Sequence, residues 1–558
     1  MYADPQARLA PLIASLTLAT DLGGGFAPEA ALRTAVLAVR LSRACGLEAG
    51  VRHDAYWAGA LRFLGCTAYS HEESLLMGGD DLAFLQAFAD VDLADKPAML
   101  ARSVARLAAG RGTAQRLRSL LAFLLDPRGG DKVSSAHCQL AEQLGADLGF
   151  GVGVTQVLRD MYERWDGRGA PRRVGGQRLS PATRVLHVAH VLEVYSRMHG
   201  LPRALAEVAR RAGRHFEPAV AAAAADAGPA LWQGLEPGRM TDLFVAEEPA
   251  PVRLLAPLQP LPLAGPGQAL QRPAPQCPGD APHAAPHAED PLLRTARAFA
   301  AYADVKSPWT LGHSHEVARV ACAAAGRLGW PAPEIRQLEI AALLHDLGRV
   351  ALPNGLWDVP RAFTAAERER ARLHAYHGER VLAGCALLAP LADWAAAAHE
   401  RADGQGYHRR IAAASLPPAA QLIAAADTWV ALRSARPHRA AFGDDEARTL
   451  LEAAASNGQL TPLAVRAVLG DSAAAGAVRP ADAGAAARLS PRELEVLLRV
   501  ARGLSNKQIA RELQLSPRTV QTHLEHVFDK TGARTRAAAA IFVARHGLVD
   551  FGLRGQAG

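Results

Sequence analysis

An internal repeat is the feature that most constrains how this chain can fold. Adding 237 to the numbering of ERWDGRG at 163–169 leads to ERADGQG at 400–406. An offset of 283 carries ALRFLG at 60–65 onto LLHDLG at 343–348. The two offsets differ by 46 residues, which predicts an insertion in the first copy, within 80–130. Because a repeat of this length builds one fold twice, we expect two related domains in tandem.

Composition favours helical packing and divides the chain into segments. Hydrophobic residues make up 49% of the 558 residues and aromatic residues only 5%, and alanine is abundant. A chain of this length is too long for one hydrophobic core. Twelve of the 36 prolines lie within 249–291, and a run rich in alanine and glycine covers 472–487. Both stretches are typical of linkers, so we expect one copy over 1–248, a second over 292–471 and a separate domain over 488–558.

The second copy contains an adjacent His345–Asp346 pair within an apolar stretch. Such a pair suits a two-metal phosphoester hydrolase, because His345 can bind one metal while the two oxygens of Asp346 bridge to another. Scattered polar residues of the same copy supply the other candidate metal ligands, which are His313, His374, His399 and Asp427.

This set resembles the HD-GYP branch of the HD metal-dependent phosphohydrolases. The family's T-x-G-H-S, HD-x-G-K, H-x-x-x-G and HHExxDGxGYP motifs and its late aspartate are matched at 310–314, 345–349, 374–378, 398–408 and Asp427. The resemblance covers roughly 292–470. It implies a catalytic site in which Asp346 bridges the metals, Arg349 steadies the phosphate and a metal-activated water attacks phosphorus. Cyclic di-GMP is the first substrate that it suggests.

Three departures from the family pattern matter. Ala398 replaces the first histidine of the HH pair, which removes one expected ligand of the second metal. Arg349 replaces lysine and keeps the charge with a forked geometry, and His408 replaces the proline of GYP. No acid precedes His313 by one helical turn, where Trp309 stands, so no third metal is expected. We predict one tightly held divalent ion, Mn or Fe because the ligands mix imidazole and carboxylate, and a weaker second ion.

The first copy has lost most of these ligands. At the positions of His313, His345, Asp346, Ala398, His399 and Asp427 stand Ala30, Arg62, Phe63, Met161, Tyr162 and His190. Only His137, aligned with His374, keeps a ligand-type residue. Without a carboxylate to neutralise them, two divalent cations cannot be held. We therefore expect a degenerate pseudo-domain with a structural or sensory role, through an interdomain surface or an adapted pocket.

The last segment predicts a helix-turn-helix. SPRE at 490–493 is a capping box with proline at the first helical position. Gly503 ends that helix, Ser505 begins the next, and Ser516 caps a third. On the third helix the apolar residues Val520, Leu524 and Val527 face inward and polar residues share the opposite face. A short helix, a tight turn and a helix offering polar side chains fit the major groove of DNA.

This segment is similar to the LuxR/GerE-type DNA-binding domain, through LSPRELEVL at 489–497, SNKQIA at 505–510 and SPRTVQTH at 516–523. The resemblance implies binding to double-stranded promoter DNA. The predicted DNA-binding residues are Lys507, Arg518, Thr519, Gln521, Thr522, Glu525 and Lys530.

Among them, Gln521 and Glu525 are assigned to bases, because glutamine pairs with adenine and glutamate accepts from the cytosine amino group. Lys507, Arg518 and Lys530 are assigned to phosphates. Residues 488–558 carry twelve Lys/Arg and six Asp/Glu, while the whole chain has a net charge of only +7. Such local positive charge is the electrostatic footprint of phosphate binding.

We also expect a homodimer on DNA, formed through the last helix. Its predicted packing surface consists of Ala539, Ile541, Phe542 and Val543.

The cellular setting is predicted from two absences in the sequence. The six cysteines form no CxxC pair, which fits a reduced cytoplasm better than a disulfide framework. No uninterrupted apolar span of about 18 residues and no basic segment ahead of an apolar core at the N-terminus are present, so neither membrane insertion nor secretion is indicated.

Together these features predict a mainly α protein with two tandem HD-type helical domains followed by a small LuxR-type helix-turn-helix domain of four helices. The leading hypothesis is a bacterial cytoplasmic transcription regulator whose HD-GYP-like region senses or hydrolyses a phosphodiester signal. The alternative is a catalytically inactive ligand- or metal-binding sensor that controls the same DNA-binding module. A third interpretation, a phosphodiesterase whose last domain docks protein, fits the basic charge poorly.

Overall fold

A computed structural model describes residues 8–548 apart from 77, 93, 108–111, 126–128, 237, 253–289, 471–488 and 547. Across these residues the chain is helical and forms three isolated β-bridges but no strand, so the predicted mainly α fold is confirmed. Most of the linker predicted over 249–291, and all of that over 472–487, lies outside the described residues. Within the described part, no helix combines the length and apolar character needed to cross a bilayer.

The chain forms two compact units. Among the described residues, the first unit comprises residues 8–252 and 350–355, and the second comprises residues 290–349 and 356–548. The helices of the first copy are α1 (Leu9–Gly23), α2 (Ala30–Ala44), α3 (Ala49–Leu61), α4 (Ser70–Leu76), α5 (Asp81–Phe88), α6 (Lys96–Arg106), α7 (Thr113–Leu125), α8 (Gly129–Asp147), α9 (Val152–Arg159), α10 (Pro181–His199), α11 (Leu201–Arg211), α12 (Pro218–Ala227) and α13 (Met240–Glu247), with 3-10 turns at Arg62–Tyr69, Gly176–Arg178 and Gly228–Trp232.

The helices of the second copy are α14 (Pro291–Asp304), α15 (His313–Arg327), α16 (Ala332–Leu344), α17 (Asn354–Trp357), α18 (Ala365–Ala383), α19 (Ala389–Ala396), α20 (Pro418–Leu432), α21 (Asp444–Ser456) and α22 (Pro462–Leu469), with 3-10 turns at Leu347–Ala351, Ala397–His399 and Ala413–Ser415. The C-terminal domain, called the reader below (residues 488–558), contains α23 (Pro491–Ala501), α24 (Asn506–Glu512), α25 (Pro517–Thr531) and α26 (Arg536–Arg545).

Aromatic side chains anchor the core of the first unit. Tyr56, Trp57 and Phe244 are fully buried. The rings of Tyr56 and Phe244 stack with centroids 4.4 Å apart, and the Tyr56 hydroxyl donates to the Phe244 carbonyl at 2.8 Å. This bond satisfies the polar end of a side chain whose ring contributes buried apolar area, so α3 and α13 are held together.

The backbone repeats between the two copies with the offsets found in the sequence. Glu29 and Gly312, related by 283, both occupy the left-handed region at the start of a helix, with φ of 68° and 72°. Arg173 and Arg410, related by 237, have φ of 56° and 52°. Left-handed backbone is uncommon for residues other than glycine. Because left-handed backbone recurs at matching positions, the two copies are two versions of one backbone fold.

A buried carboxylate organises the first helical turn in each copy. Asp21 accepts a hydrogen bond from the Ala31 amide at 3.0 Å, and Asp304 accepts one from the Ser314 amide at 2.9 Å. Both pairs are related by 283 residues. Each carboxylate satisfies an amide that has no intrahelical acceptor, at the positive end of a helix dipole.

Close backbone contact also recurs at one glycine per copy. A Cβ added to Gly65 would lie 2.1 Å from the His137 carbonyl oxygen, and a Cβ added to Gly348 would lie 1.9 Å from that of His374. Only glycine fits at these positions. The contact brings the 3-10 turn after α3 or α16 directly against α8 or α18, respectively.

The predicted insertion is confirmed in its position. Between its 3-10 turn at Arg62–Tyr69 and α8, the first copy contains α4 to α7, whereas the second copy has only α17 between its turn at Leu347–Ala351 and α18.

The reader follows the predicted capping pattern. Ser490 and Ser505 each form a capping box, with Glu493 and Gln508, and Ser516 accepts a hydrogen bond from the Thr519 amide. Val520, Leu524 and Val527 are buried in its core, as predicted. Leu311 of the second copy also packs against this core.

The dimer surface predicted on α26 is wrong for three of its four residues. Ala539, Ile541 and Val543 are only 0%, 3% and 2% exposed, and Phe542 is partly buried. These side chains are covered within the chain itself. The sequence pattern identified an apolar face correctly but assigned it the wrong partner.

Candidate functional site

A buried carboxylate lies at the centre of the candidate site in the second copy. Oδ1 of Asp346 is 3.1 Å from Nε2 of His374 and 3.3 Å from Nε2 of His399. Its other oxygen, Oδ2, is 3.8 Å from Nε2 of both His313 and His345. One aspartate thus faces four imidazoles, two on each oxygen.

Helix ends and short turns position these side chains. His313 is the first residue of α15, directly after the left-handed Gly312. His345 and Asp346 lie between α16 and the Leu347–Ala351 turn, and His399 ends the Ala397–His399 turn. From α20, Oδ1 of Asp427 reaches Nε2 of His313 at 2.9 Å. Residues far apart in sequence therefore meet at one point, and all six predicted ligands lie in this cluster.

The hydrogen bonds of two histidines leave their inner nitrogens free for a metal. Nδ1 of His345 donates to the Ala342 carbonyl, and Nδ1 of His374 to the Ala371 carbonyl, each at 2.7 Å. A carbonyl only accepts, so the proton of each neutral ring is on Nδ1 and Nε2 presents a lone pair. These Nε2 atoms and Oδ1 of Asp346 are buried and have no hydrogen-bond partner. Acceptor atoms facing one another in this way fit a shared cation.

Electrostatics keep three of the ligands, His345, Asp346 and His374, in the protonation states that metal binding needs. Burial lowers the pKa of His374 to about 4 and also lowers the pKa of His345. Burial alone would raise the pKa of Asp346, but the charge of the adjacent Arg349 holds it well below its usual range. Neutral imidazole and ionised carboxylate are the forms that bind metals.

Two groups of three residues have the proximity required for metal binding. The first is His313, His345 and Asp346, and the second is Asp346, His374 and His399. Within the described residues, both groups lie in the second copy. Ala398 is 2% exposed and offers no donor atom, so the second group contains one ligand fewer than the family pattern implies.

Two arginines lie near this cluster, and the sequence analysis identified only one. Arg349 pairs with Oδ2 of Asp346 at 3.1 Å, and its guanidinium lies 4.1 Å from the centre of the Trp357 ring. Arg436 was missed. It donates to the Trp309 carbonyl at 3.0 Å, and burial next to Arg349 lowers its pKa to about 10. An arginine after the Asp427 helix gives no spacing signal that would relate it to the ligands.

Tyr407 of the GYH segment was also missed as a structural support. Its ring stacks on His399 with centroids 5.0 Å apart and meets the His374 ring edge-on at 5.4 Å. His408, which replaces the family's proline, lies 3.6 Å from Glu379 instead of at the cluster.

The equivalent place in the first copy contains different chemistry. Phe63 stacks on Phe26 with centroids 4.0 Å apart, and its ring is 6.2 Å from that of His190. Nδ1 of His137 forms a 3.0 Å hydrogen bond with the Tyr162 hydroxyl. No metal-binding group is found among the described residues of this copy.

The reader presents its predicted polar face to solvent. The exposed residues among the candidates are Lys507, Arg518, Thr519, Gln521, Thr522, Glu525 and Lys530. Gln521 accepts a hydrogen bond from Asn506 at 2.9 Å and donates one to Glu525 at 3.0 Å. Asn506 in turn accepts from Arg536 at 2.6 Å. These bonds fix the orientation of the two side chains assigned to bases.

Lys530 has a partner that the sequence analysis did not predict. Its Nζ donates to both carboxylate oxygens of Glu493, at 2.7 and 2.8 Å. Glu493 is only 4% exposed, and a buried carboxylate needs a compensating cation. This pair ties α25 to α23, which differs from the phosphate contact assigned to Lys530.

Comparison with known families identifies both parts of the chain. The HD domain family matches residues 131–220 and 297–461, so both copies are represented. The family described as bacterial regulatory proteins, luxR family, matches residues 487–543.

The similar proteins include phosphodiesterases and a transcriptional regulator. The 3'3'-cGAMP-specific phosphodiesterase 3 of Vibrio cholerae is 26% identical over 452 residues, covering 80% of this chain and 90% of the relative. The cyclic di-GMP phosphodiesterase response regulator RpfG of Xanthomonas campestris is 33% identical over 164 residues, or 29% of this chain and 42% of the relative. A putative HTH-type transcriptional regulator of Mycobacterium bovis is 51% identical over 59 residues, covering 11% and 7%.

One solved structure has a similar fold. The crystal structure of a cyclic GMP-AMP specific phosphodiesterase of Vibrio cholerae, V-cGAP3, matches with a TM-score of 0.53 at 22% identity. The match covers 83% of this chain and 97% of that chain.

Proposed function

Because the chain combines HD domains with a C-terminal domain of the luxR family of bacterial regulatory proteins, we propose that it is a transcription regulator that responds to a phosphodiester signal. The second copy hydrolyses or binds a cyclic dinucleotide, and the reader binds promoter DNA. The relatives named as cyclic dinucleotide phosphodiesterases support this substrate class. The domain boundaries are proposed to be those predicted from the sequence.

The observation that carries the enzymatic part is the arrangement around Asp346. Its two oxygens face two separate groups of imidazoles, and the Nε2 atoms of His345 and His374 have no protein partner. His313, His345, Asp346 and Asp427 would hold one divalent ion, and Asp346, His374 and His399 a second. When bound, such ions supply an activated water and positive charge at the phosphoryl oxygens. Mn or Fe remains the proposed metal.

The protein's own cations complete the proposed chemistry. Arg349 and Arg436 add positive charge beside the buried carboxylates, where a phosphodiester with its negative charge would bind. The Trp357 ring holds the Arg349 guanidinium from one side, and Tyr407 fixes the plane of His399. These contacts reduce the side-chain motion that substrate binding would otherwise have to restrict.

Hydrolysis is tested by metal analysis of the purified chain together with assays on 3'3'-cGAMP and cyclic di-GMP. Asp346→Asn should lose bound metal and activity together, because it removes the carboxylate shared by both groups. Asp445→Asn, at an exposed position of α21, is the matched control and should change neither. Activity that persists in Asp346→Asn would contradict the assigned centre.

The second candidate function is a sensor without hydrolysis, and Ala398 favours it. A buried alanine at a ligand position weakens the second metal group. In that case the chain binds a cyclic dinucleotide but releases no linear product. Equilibrium dialysis run beside the hydrolysis assay separates the two functions.

A contact within the second unit supports communication between the HD domain and the reader. Leu311 packs against the core of the reader and lies two positions before His313 in sequence. A Cβ added to Gly503 of the reader would also lie 3.1 Å from the Pro308 side chain. Changes around His313 are thus proposed to reach the reader through the 308–311 loop. Gel shifts with and without the cyclic dinucleotide test this, and Leu311→Ala should reduce the difference between them.

The remaining proposals concern assembly and location. The reader is proposed to bind DNA as a homodimer through a surface other than the buried face of α26, which sedimentation with and without DNA would test. The chain is proposed to be cytoplasmic. No disulfide bond joins the described cysteines, at 45, 66, 138, 322 and 385, which is consistent with a reducing compartment. Fractionation of the source cells would test this location.

A further inference from the structure

An arginine without a partner stands in the first copy where the second copy has a metal ligand. Arg62 is related to His345 by the offset of 283 and begins the 3-10 turn after α3. Its Nε atom is buried and has no hydrogen-bond acceptor. The residue as a whole is partly exposed.

The carboxylates around Arg62 are engaged elsewhere. Glu193 acts on the pKa of Arg62 less than burial, Tyr162 and Cys66 do, and its carboxylate pairs with Arg33 at 3.2 Å and with Arg197 at 3.3 Å. No ion pair or hydrogen bond joins Arg62 to any residue in the part of the chain that the structure describes. Arg62 is therefore a positive charge in a mostly buried place with no negative charge assigned to it.

The neighbours of Arg62 include donors and apolar surface but no metal ligand set. Its guanidinium lies 5.0 Å from the centre of the Phe63 ring. His190, at the position of Asp427, has a buried Nδ1 atom with no partner, and its pKa is lowered by burial and by the charge of Arg62. The Tyr162 hydroxyl, at the position of His399, bonds to Nδ1 of His137. Glu73 lies 3.8 Å from Nε2 of His137, but no carboxylate of the described residues pairs with Arg62, so an anion is the ligand that Arg62 lacks.

We propose that Arg62 and His190 form a metal-free binding site for a phosphoryl anion. An unpaired buried charge is strongly destabilising unless a counter-ion accompanies it. The guanidinium fork matches two oxygens of a phosphoryl group with parallel hydrogen bonds. His190 can donate a further bond without being charged. In the second copy this place contains acceptor atoms that suit cations. In the first copy the equivalent place contains donor groups that suit an anion.

The site is tested by equilibrium dialysis of the full chain with radiolabelled inorganic phosphate. The protein carries Asp346→Asn and is treated with chelator, so that no metal in the second copy contributes to binding. Arg62→Gln should weaken binding at one site by about tenfold or more, because a charged hydrogen bond is lost. Arg203→Gln, at an exposed position of α11 in the same copy, is the matched control and should bind like the parent.

Two further arms identify the source of the phosphoryl group and its specificity. In the same protein, displacement of the bound phosphate by 3'3'-cGAMP would indicate a phosphodiester ligand. Failure to compete while phosphate binds would indicate the free anion. Acetate that binds as well as phosphate would overturn the phosphoryl assignment. Equal phosphate binding by the parent and Arg62→Gln, or no binding by the parent, would overturn the site.

Thermal unfolding keeps the test independent of the dialysis. Phosphate should raise the Tm of the parent protein and leave that of Arg62→Met unchanged. Without phosphate, Arg62→Met should unfold at the same or a higher temperature than the parent, because replacing an unpaired buried charge by an apolar side chain of similar volume is neutral or stabilising. A lower Tm for Arg62→Met without phosphate would mean that Arg62 has a structural partner and would contradict the proposal. The result does not depend on hydrolysis in the second copy.

Discussion

Nε2 of His374 faces Oδ1 of Asp346 across 3.1 Å, and the proton of that ring is held by the Ala371 carbonyl. A cation between the two acceptors relieves their repulsion. Replacing His374 with alanine should therefore remove the second metal while the first remains. Metal content by mass spectrometry should fall to about one ion per chain. The starting value is two ions if the second site is full in the wild type, and between one and two if that site is partly filled.

His137→Ala is the counterpart of this change in the first copy. His137 is aligned with His374 but bonds to Tyr162 and has no metal-binding group around it. Bound metal should stay at the wild-type level, with titrations of Mn and Fe superimposable on those of the unchanged chain. A measurable drop would mean that the first copy is not degenerate.

Restoring the missing ligand should strengthen the second metal site. Ala398→His adds an imidazole beside His399, so metal content and any phosphodiesterase activity should rise together, by at least about tenfold in affinity for the weaker ion. Because the new side chain enters a buried position, the thermal stability of the Ala398→His protein is measured in parallel. If the wild-type protein already binds two metal ions with equal affinity, another group replaces the ligand that is missing at position 398.

Gly348 should be indispensable to the centre although it carries no chemistry. A Cβ there would lie 1.9 Å from the His374 carbonyl oxygen and 2.4 Å from the Gly378 amide nitrogen, both rigid backbone atoms. Gly348→Ala should cost about 1–3 kcal/mol of stability and weaken binding of the second metal, for which His374 is a proposed ligand. Gly326→Ala in α15 meets nothing within 4 Å and should be neutral or slightly stabilising. Equal metal binding by both variants would contradict the prediction.

Specific DNA binding should depend on Gln521 and overall affinity on Lys507. Gln521→Ala should cost about 1–3 kcal/mol on the preferred site and relax base preference there. Lys507→Ala should weaken specific and random DNA alike and reduce the salt slope by about one unit. Gel shifts across a salt series measure both. Sequence-independent binding that Gln521→Ala leaves unaltered would remove the specific-regulator function.

The Glu493–Lys530 pair should make the reader sensitive to acid. The hydrogen bond from Lys530 lowers the pKa of Glu493 to about 2, from a usual value near 4.5. Its stabilisation is thus fully present above about pH 4.5 and is lost as pH falls toward 2. Hydrogen exchange of α23 and α25 in the full chain should accelerate over that interval. Glu493→Gln should remove most of this pH dependence, whereas Glu495→Gln, a partly exposed acid on the same helix, should keep it.

Much of the fold was predictable because its signals are local. Serine caps at Ser490, Ser505 and Ser516 and the apolar spacing on α25 define the reader within a short segment. The repeat offsets likewise predicted which residues align, and the left-handed backbone at Arg173 and Arg410 follows them. Helix type and order depend mainly on such short-range patterns.

The contacts that the sequence did not reveal involve partners distant in sequence. Lys530 pairs with Glu493 across 37 positions, and Arg436 approaches Asp346 only because α20 returns the chain to the cluster. The apolar face of α26 was identified, but whether another chain or this chain covers it is decided by packing that no local pattern encodes. In the first copy, the exchange of His for Arg62 was visible, whereas its lack of a counter-ion was not.

The shared backbone of the two copies also has a consequence for protein engineering. Asp21, Glu29 and Gly65 hold the first copy in the geometry that Asp304, Gly312 and Gly348 give the second. A set of four substitutions, Arg62→His, Phe63→Asp, Tyr162→His and His190→Asp, would place ligands on a scaffold that already has the required shape. The first copy could therefore accept a metal centre with few changes. The metal affinity of this variant would measure how far correct placement of the backbone is sufficient for metal binding.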